Sequence, residues 1–296
     1  MPWLAVLLGL TSAAIFSVGA VAQQQVASSS SAAGAGFVRD LIRSPRWWAA
    51  TFGDAVGYGF QAAGLAVGSI LVVQPLLIMS LVFALPLSAR WNARRIHRRE
   101  IGWALALAVA LGIFLVVGNP AGGHSRQHIS AWVPSMIGVG VVVAAGFALA
   151  AGSSPRFRSL GLAIVAGTLF GFASALTKSV MHLLGRGLGP LLGSWETYTL
   201  VGVGVVGLVC QQLAFQSGSL EISMPAAAVL DPVVSVVVGI LALDERLRAD
   251  GLEWALIAVS AGVMISGTIA LARVGVPTTP TQTAEDTAPP SPLPAR

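Results

Sequence analysis

Stretches of about twenty predominantly apolar residues succeed one another along the whole chain, at 3–22, 46–67, 70–88, 101–118, 131–151, 159–180, 194–215, 220–243 and 253–273. Each is long enough to cross the roughly 30 Å hydrocarbon core of a bilayer as a helix. The linkers can be as short as Gly68-Ser69 and Gly218-Ser219. Such a chain is expected to be an all-α polytopic membrane protein with about nine transmembrane helices. Composition agrees: 55% of its 296 residues are hydrophobic and 10% are charged, against about 25% charged in soluble domains.

Trp3, Trp47, Trp48, Trp91, Trp103, Trp132, Trp195 and Trp254 all fall at or beside span ends, as an interfacial aromatic belt requires. Basic residues set the expected orientation. With the N-terminus outside, Arg39, Arg43, Arg46, Arg90, Arg94, Arg95, Arg98, Arg99, Arg156, Arg158, Arg273 and Arg296 are inside, against five basic residues outside. The positive-inside rule then gives an N-out, C-cytoplasmic protein of the plasma (inner) membrane. The net charge of +5 is thus a topology signal, and nucleic acid is not an expected partner.

Ala20-Val21-Ala22 before Gln23 resembles a signal-peptidase site, but no positive charge precedes the apolar run, so a retained first helix is preferred. Phe37–Arg43 reads as a short amphipathic surface helix. The segment 274–296, rich in Pro, Thr and Ala, reads as a disordered cytoplasmic tail. Cys210 is the sole cysteine, so no intrachain disulfide can form.

The chain also repeats itself. At an offset of 150, Gln61, Gly68, Ser69 and Pro75 fall on Gln211, Gly218, Ser219 and Pro225. One residue further, Trp103-Ala104-Leu105 falls on Trp254-Ala255-Leu256. The copies lie in spans two and seven, an odd separation, so they run in opposite directions. This gives two inverted repeats: spans one to five (1–151) and spans six to nine (159–273), the second lacking a fifth helix. A binding cavity is expected near the midplane between them.

Gly9–Phe16 with Gln23-Gln24-Gln25, Gln74-Pro75-Leu76, and Ala214–Ser219 through Pro225, Asp231-Pro232 and Asp244-Glu245-Arg246-Leu247 resemble the drug/metabolite transporter (DMT, EamA-like) superfamily. In that family a small-residue hairpin leads to a proline-bearing helix and a Gly/Asp-Glu-x-Leu exit. The resemblance covers the chain to about residue 273. Nine spans and an outside N-terminus bring it nearest the NIPA-like magnesium transporters, instead of the ten-helix exporters. It implies a secondary transporter working by alternating access on a small solute or ion, proton-coupled or Mg2+, within the lipid bilayer. Divalent-cation transport of the NIPA-like type is the alternative. A non-transporting scaffold or lipid-handling protein is a third reading. A homodimer is left open. The excess of Arg over Lys, sixteen to one, with abundant Ala, Gly and Val, points to a high-GC actinobacterial source.

Ionisable groups in mid-membrane cost about 2.5–3.5 kcal/mol on insertion scales and tend to face a cavity or a partner. Asp231, halfway along span eight and followed by Pro232, is the sharpest candidate for a proton or cation site; holding a kink is its structural alternative. Asp54 lies one to two turns into span two, deeper than a cap. Lys178, near the end of span six with His182 one turn later, could pair with an acid or a substrate anion, but snorkelling to the interface is preferred. Glu196 and Glu221 begin spans, where acids complement the helix dipole. Gln61, Gln74, Gln211 and Gln212 could line a polar path or bond helices together. Pro75 and Pro225 are expected to kink spans three and eight at equivalent depths, a pattern that points to a transport site. Leu81 stands where the second half has Asp231, so the halves share a frame but not a charge.

Enzyme signatures are absent. His124 and His128 are in a short polar loop without nearby carboxylates, and there is no phosphate-cradling loop with lysine and no Ser/His/Asp set. No cofactor is expected, and any metal ligation is left open.

Overall fold

The structure is a computed structural model; it describes residues 2–29, 45–91, 95–152, 154–216 and 220–274. The helices are α1 (Pro2–Ser29), α2 (Pro45–Val67), α3 (Ile70–Leu77), α4 (Met79–Trp91), α5 (Arg98–Gly118), α6 (Ile129–Ala150), α7 (Pro155–Leu184), α8 (Leu188–Leu192), α9 (Trp195–Gln216), α10 (Leu220–Leu243) and α11 (Glu253–Val274). Two-residue strands β1 (Pro120–Ala121) and β2 (Arg246–Leu247) pair antiparallel, Pro120 opposite Leu247. Among the described residues, eight helical segments are long and apolar enough to cross a membrane. These are the spans read from the sequence except 46–67. That span corresponds to α2, of 23 residues, part of whose side chains lie outside those described.

Local chemistry explains the breaks. Ser69 caps α3, its side chain accepting from the Leu71 N–H at 3.1 Å, so the chain turns at Gly68-Ser69 and starts a new helix. Pro75 brings no N–H to its turn. Three residues later the span divides at Ile78, whose N–H bonds to the Pro75 carbonyl at 3.2 Å. The two halves differ in continuity: α10 runs as one helix through both Pro225 and Pro232. A proline ring removes one hydrogen bond without obliging a helix to stop, and α10 is packed along α7 and α11.

The bundle is organised around α7. It packs on α10, α9, α6 and α2, and 83% of its most apolar window is buried, against 39% or less in the other candidate spans. Glycines permit the close crossings. A Cβ on Gly171 would meet the Asp231 carbonyl oxygen at 2.6 Å, and one on Gly167 the Ala227 oxygen at 2.9 Å, both on α10. Toward the other end of α7, a Cβ on Gly161 would collide with the Gly146 oxygen of α6. In its own part of the bundle α1 packs on α2, α3 and α4, and α5 packs on α11.

One end of the bundle, termed the hairpin end, gathers the α2–α3 hairpin, the β1–β2 pair and the α7–α9 connection. Ala5 of α1 touches Gly68 there, and Arg248 N–H bonds to the Gly118 carbonyl at 2.9 Å. Arg90, Arg95, Arg98, Arg99, Arg156, Arg158 and Arg273 belong to the opposite end. The aromatic belt requires one correction. Trp3, Trp48, Trp91 and Trp254 are well exposed, but Trp132 is fully buried, edge-on to Phe172 at 5.8 Å and to Trp195 at 5.7 Å. A position at a span end sets depth along the helix, not the direction of the side chain. Residues 37–43 and 275–296, where a surface helix and a tail are expected, lie outside the described residues.

Candidate functional site

Polar side chains inside the bundle converge on α7. Ser174, Thr177 and Lys178 are spaced i, i+3, i+4 and therefore share a helical face. On α2, Asp54, Tyr58 and Gln61 are spaced i, i+4, i+7 and share another. The two helices meet through these residues: Gln61 Nε2 donates to Ser174 Oγ at 3.2 Å, and Tyr58 Oη is 2.5 Å from Thr177 Oγ1. Thr177 gives its only proton to the Ala173 carbonyl at 2.8 Å, so the Tyr58 hydroxyl is the donor. Asp54 is half-buried and one turn from Tyr58. From α10, Asp231 lies within electrostatic reach of Tyr58. Its carboxylate accepts from Ser235 Oγ at 3.3 Å, and its backbone carbonyl accepts from the same hydroxyl at 2.7 Å.

The second polar centre lies toward the hairpin end and overturns the preferred reading of Lys178. This lysine does not snorkel. Its side chain is 5% exposed and its ammonium donates to the carboxylate of Glu245, which is itself fully buried. Glu245 comes just after the last turn of α10, where Asp244 adopts a left-handed φ of 54° and turns the chain back into the protein. One Glu245 oxygen takes Lys178 and the Ile70 N–H at 3.0 Å. The other takes Ser69 Oγ at 2.6 Å and the Leu71 N–H at 3.1 Å. A single carboxylate thus meets four donors, two of them N–H groups of the first turn of α3, where the helix dipole favours negative charge. α3, α7 and the α10–α11 connection are joined at this point.

Glu196 does open α9, as a dipole-complementing acid would. It is also fully buried against Arg126, with Arg126 Nε 2.7 Å from its Oε1 and Nη2 3.3 Å from its Oε2. This hydrogen bonding raises the pKa of the Arg126 guanidinium above its ordinary value. The glutamines divide. Gln61 is in the α2–α7 contact. Gln74 is fully buried with its Nε2 unpartnered among the described residues. Gln211 is half-buried and Gln212 exposed on α9, so the structure does not bring these two to the cluster. The Glu221 side chain lies outside those described.

Sequence reasoning missed Glu245 as the partner of Lys178, because 67 residues separate them and the Asp-Glu-x-Leu exit reads as a turn. Tyr58, Ser174 and Thr177 were also missed. Their signal was present as helical spacing from Gln61 and Lys178.

Over 275 residues the chain is 36% identical to an uncharacterized protein of Corynebacterium glutamicum, covering 91% of this chain and 95% of that one. The chain belongs to the same family as that protein. No protein-family profile and no solved structure matches the chain.

Proposed function

We propose that this protein is a secondary transporter of the drug/metabolite transporter type, moving a small solute across the plasma membrane by alternating access. The observation that carries this reading is the polar surface between α2, α7 and α10, built from buried Gln61, Ser174 and Thr177 with half-buried Asp231 and the partly exposed Tyr58, among apolar helices. Groups that are expensive to place in a membrane mark solute and ion pathways.

The packing supports two halves of opposite direction. α1 rests on α2 and α3–α4, as α7 rests on α9 and α10. Gly57 on α2 lies under the ring of Phe16, and Gly207 on α9, at the repeat offset of 150, lies under the ring of Phe170. In this reading α5 and α11 are the matched pair that meet between the halves. Glu245 and Lys178 close the hairpin end in the state described, and their separation opens it. Asp231, beside the carbonyl freed by Pro232, is the coupling residue; protonation of its carboxylate, or its contact with a cationic solute, biases the two states. Among the described residues no three His, Cys, Asp or Glu side chains converge as a metal site would require, so a small solute is preferred to a divalent cation. The N-terminus and the hairpin end are assigned to the outside by the arginines of the opposite end.

The test is a thermal-shift screen of solutes, magnesium included, on the purified protein, then proteoliposome uptake of whichever solute stabilises it. Asp231→Asn is expected to reduce that uptake by about tenfold or more, as loss of a coupling acid does, while leaving the melting temperature near wild type. Undiminished uptake by the variant removes Asp231 from the mechanism. Failure of every solute to bind or cross leaves a scaffold as the better description.

A further inference from the structure

Where α7 ends, an open cleft of about 510 Å³ is bounded by Arg126 and His128 from the α5–α6 connection, His182 and Arg186 from α7 and its exit, and Trp195 from the start of α9. Its volume falls within the range of small-molecule sites. The charges in it are not equivalent. Arg126 is occupied by the buried Glu196. The side chains of Arg186 and His182 are exposed and, among the described residues, have neither a hydrogen-bond nor an ion-pair partner. One turn below His182, Lys178 is already neutralised by Glu245. The free positive charge is therefore at the mouth, not deeper. The indole N–H of Trp132, packed behind Trp195, also lacks an acceptor among the described residues.

We propose that this cleft binds a small organic anion through a carboxylate or phosphate group. Arg186 supplies a fork of donors matched to two anionic oxygens, His182 a further polar contact, and Trp195 an apolar wall. As an external recognition site for the transported solute it rests on the transporter reading, but binding itself does not. An anionic lipid headgroup has the same chemistry as a free phosphate, so the test separates the two.

The full chain, purified in a zwitterionic phospholipid nanodisc, is melted with and without inorganic phosphate at constant ionic strength, using chloride as the balancing salt. Specific binding to the folded state raises Tm, here by about 2 °C or more. The rise is expected to vanish in Arg186→Gln, to persist in part in Arg186→Lys, and to persist fully in Arg248→Gln, an exposed arginine of the same end outside the cleft. A shift obtained with phosphatidylglycerol in the disc but not with phosphate, and equally dependent on Arg186, assigns the cleft to a lipid headgroup. No shift with either probe, or an undiminished shift in Arg186→Gln, overturns the site. Binding without flux of any solute leaves the cleft standing and removes the transporter reading; flux without Arg186-dependent binding does the reverse.

Discussion

Glu245 illustrates what one residue can hold together in an apolar bundle. Its four donors come from a lysine, a hydroxyl and two backbone N–H groups, all of buried residues. Removing one member of such a pair leaves an uncompensated charge, at a cost of about 3–5 kcal/mol. Lys178→Met is therefore expected to destabilise the protein by that amount. Adding Glu245→Gln to it restores part of the loss, because the remaining buried group is neutral and still accepts from the α3 N–H groups. Reversible unfolding in mild detergent checks this through a double-mutant cycle. Strict additivity of the two changes would mean that the pair is not coupled. Lys178 was visible in the sequence as the sole lysine in a span. What decides its role is the partner, and no local pattern encodes an acid 67 residues away.

At the level of elements, the crossing of α7 with α10 is the contact on which the polar surface depends. Gly171 lies so close to α10 that a methyl group would fall 2.6 Å from the Asp231 oxygen and 2.7 Å from Val234 Cβ. Gly171→Ala must push the helices apart, with an expected cost of about 1–3 kcal/mol and lost uptake through displacement of Asp231. Gly202→Ala on α9, with nothing within 4 Å of the new atom, should be neutral or slightly stabilising. Comparing their melting temperatures tests whether small residues in these helices act by site or by composition. Helix existence was legible because apolar length alone specifies it, and the turn at Gly68-Ser69 because serine caps announce themselves. The break at Ile78 and the continuity of α10 were not. Proline removes the same hydrogen bond in each helix, and the packing of neighbouring helices decides whether the chain breaks there or runs on. The burial of Trp132 escaped for a related reason, since it is fixed by Phe172 and Trp195 from two other helices.

For the whole molecule, the expected orientation places Arg248 outside and Arg95 inside. In a Cys210→Ala background, Arg248→Cys should react with a membrane-impermeant maleimide in intact cells, and Arg95→Cys only after permeabilisation; the opposite pattern reverses the topology. The match at an offset of 150 was readable because Gln, Gly, Ser and Pro stand out against an apolar background. The polar surface was readable only in part, because it lies where three helices meet and belongs to no single one of them. The clamp at Glu245 has a further consequence, in time. Ile70 emerges from the ribosome 175 residues ahead of the carboxylate that completes its cap. At about 5–20 residues per second, the first half waits roughly nine to thirty-five seconds for it. During synthesis the hairpin end is therefore unfastened, and the nascent first half must be held by the membrane and its insertion machinery until the last turn of α10 arrives.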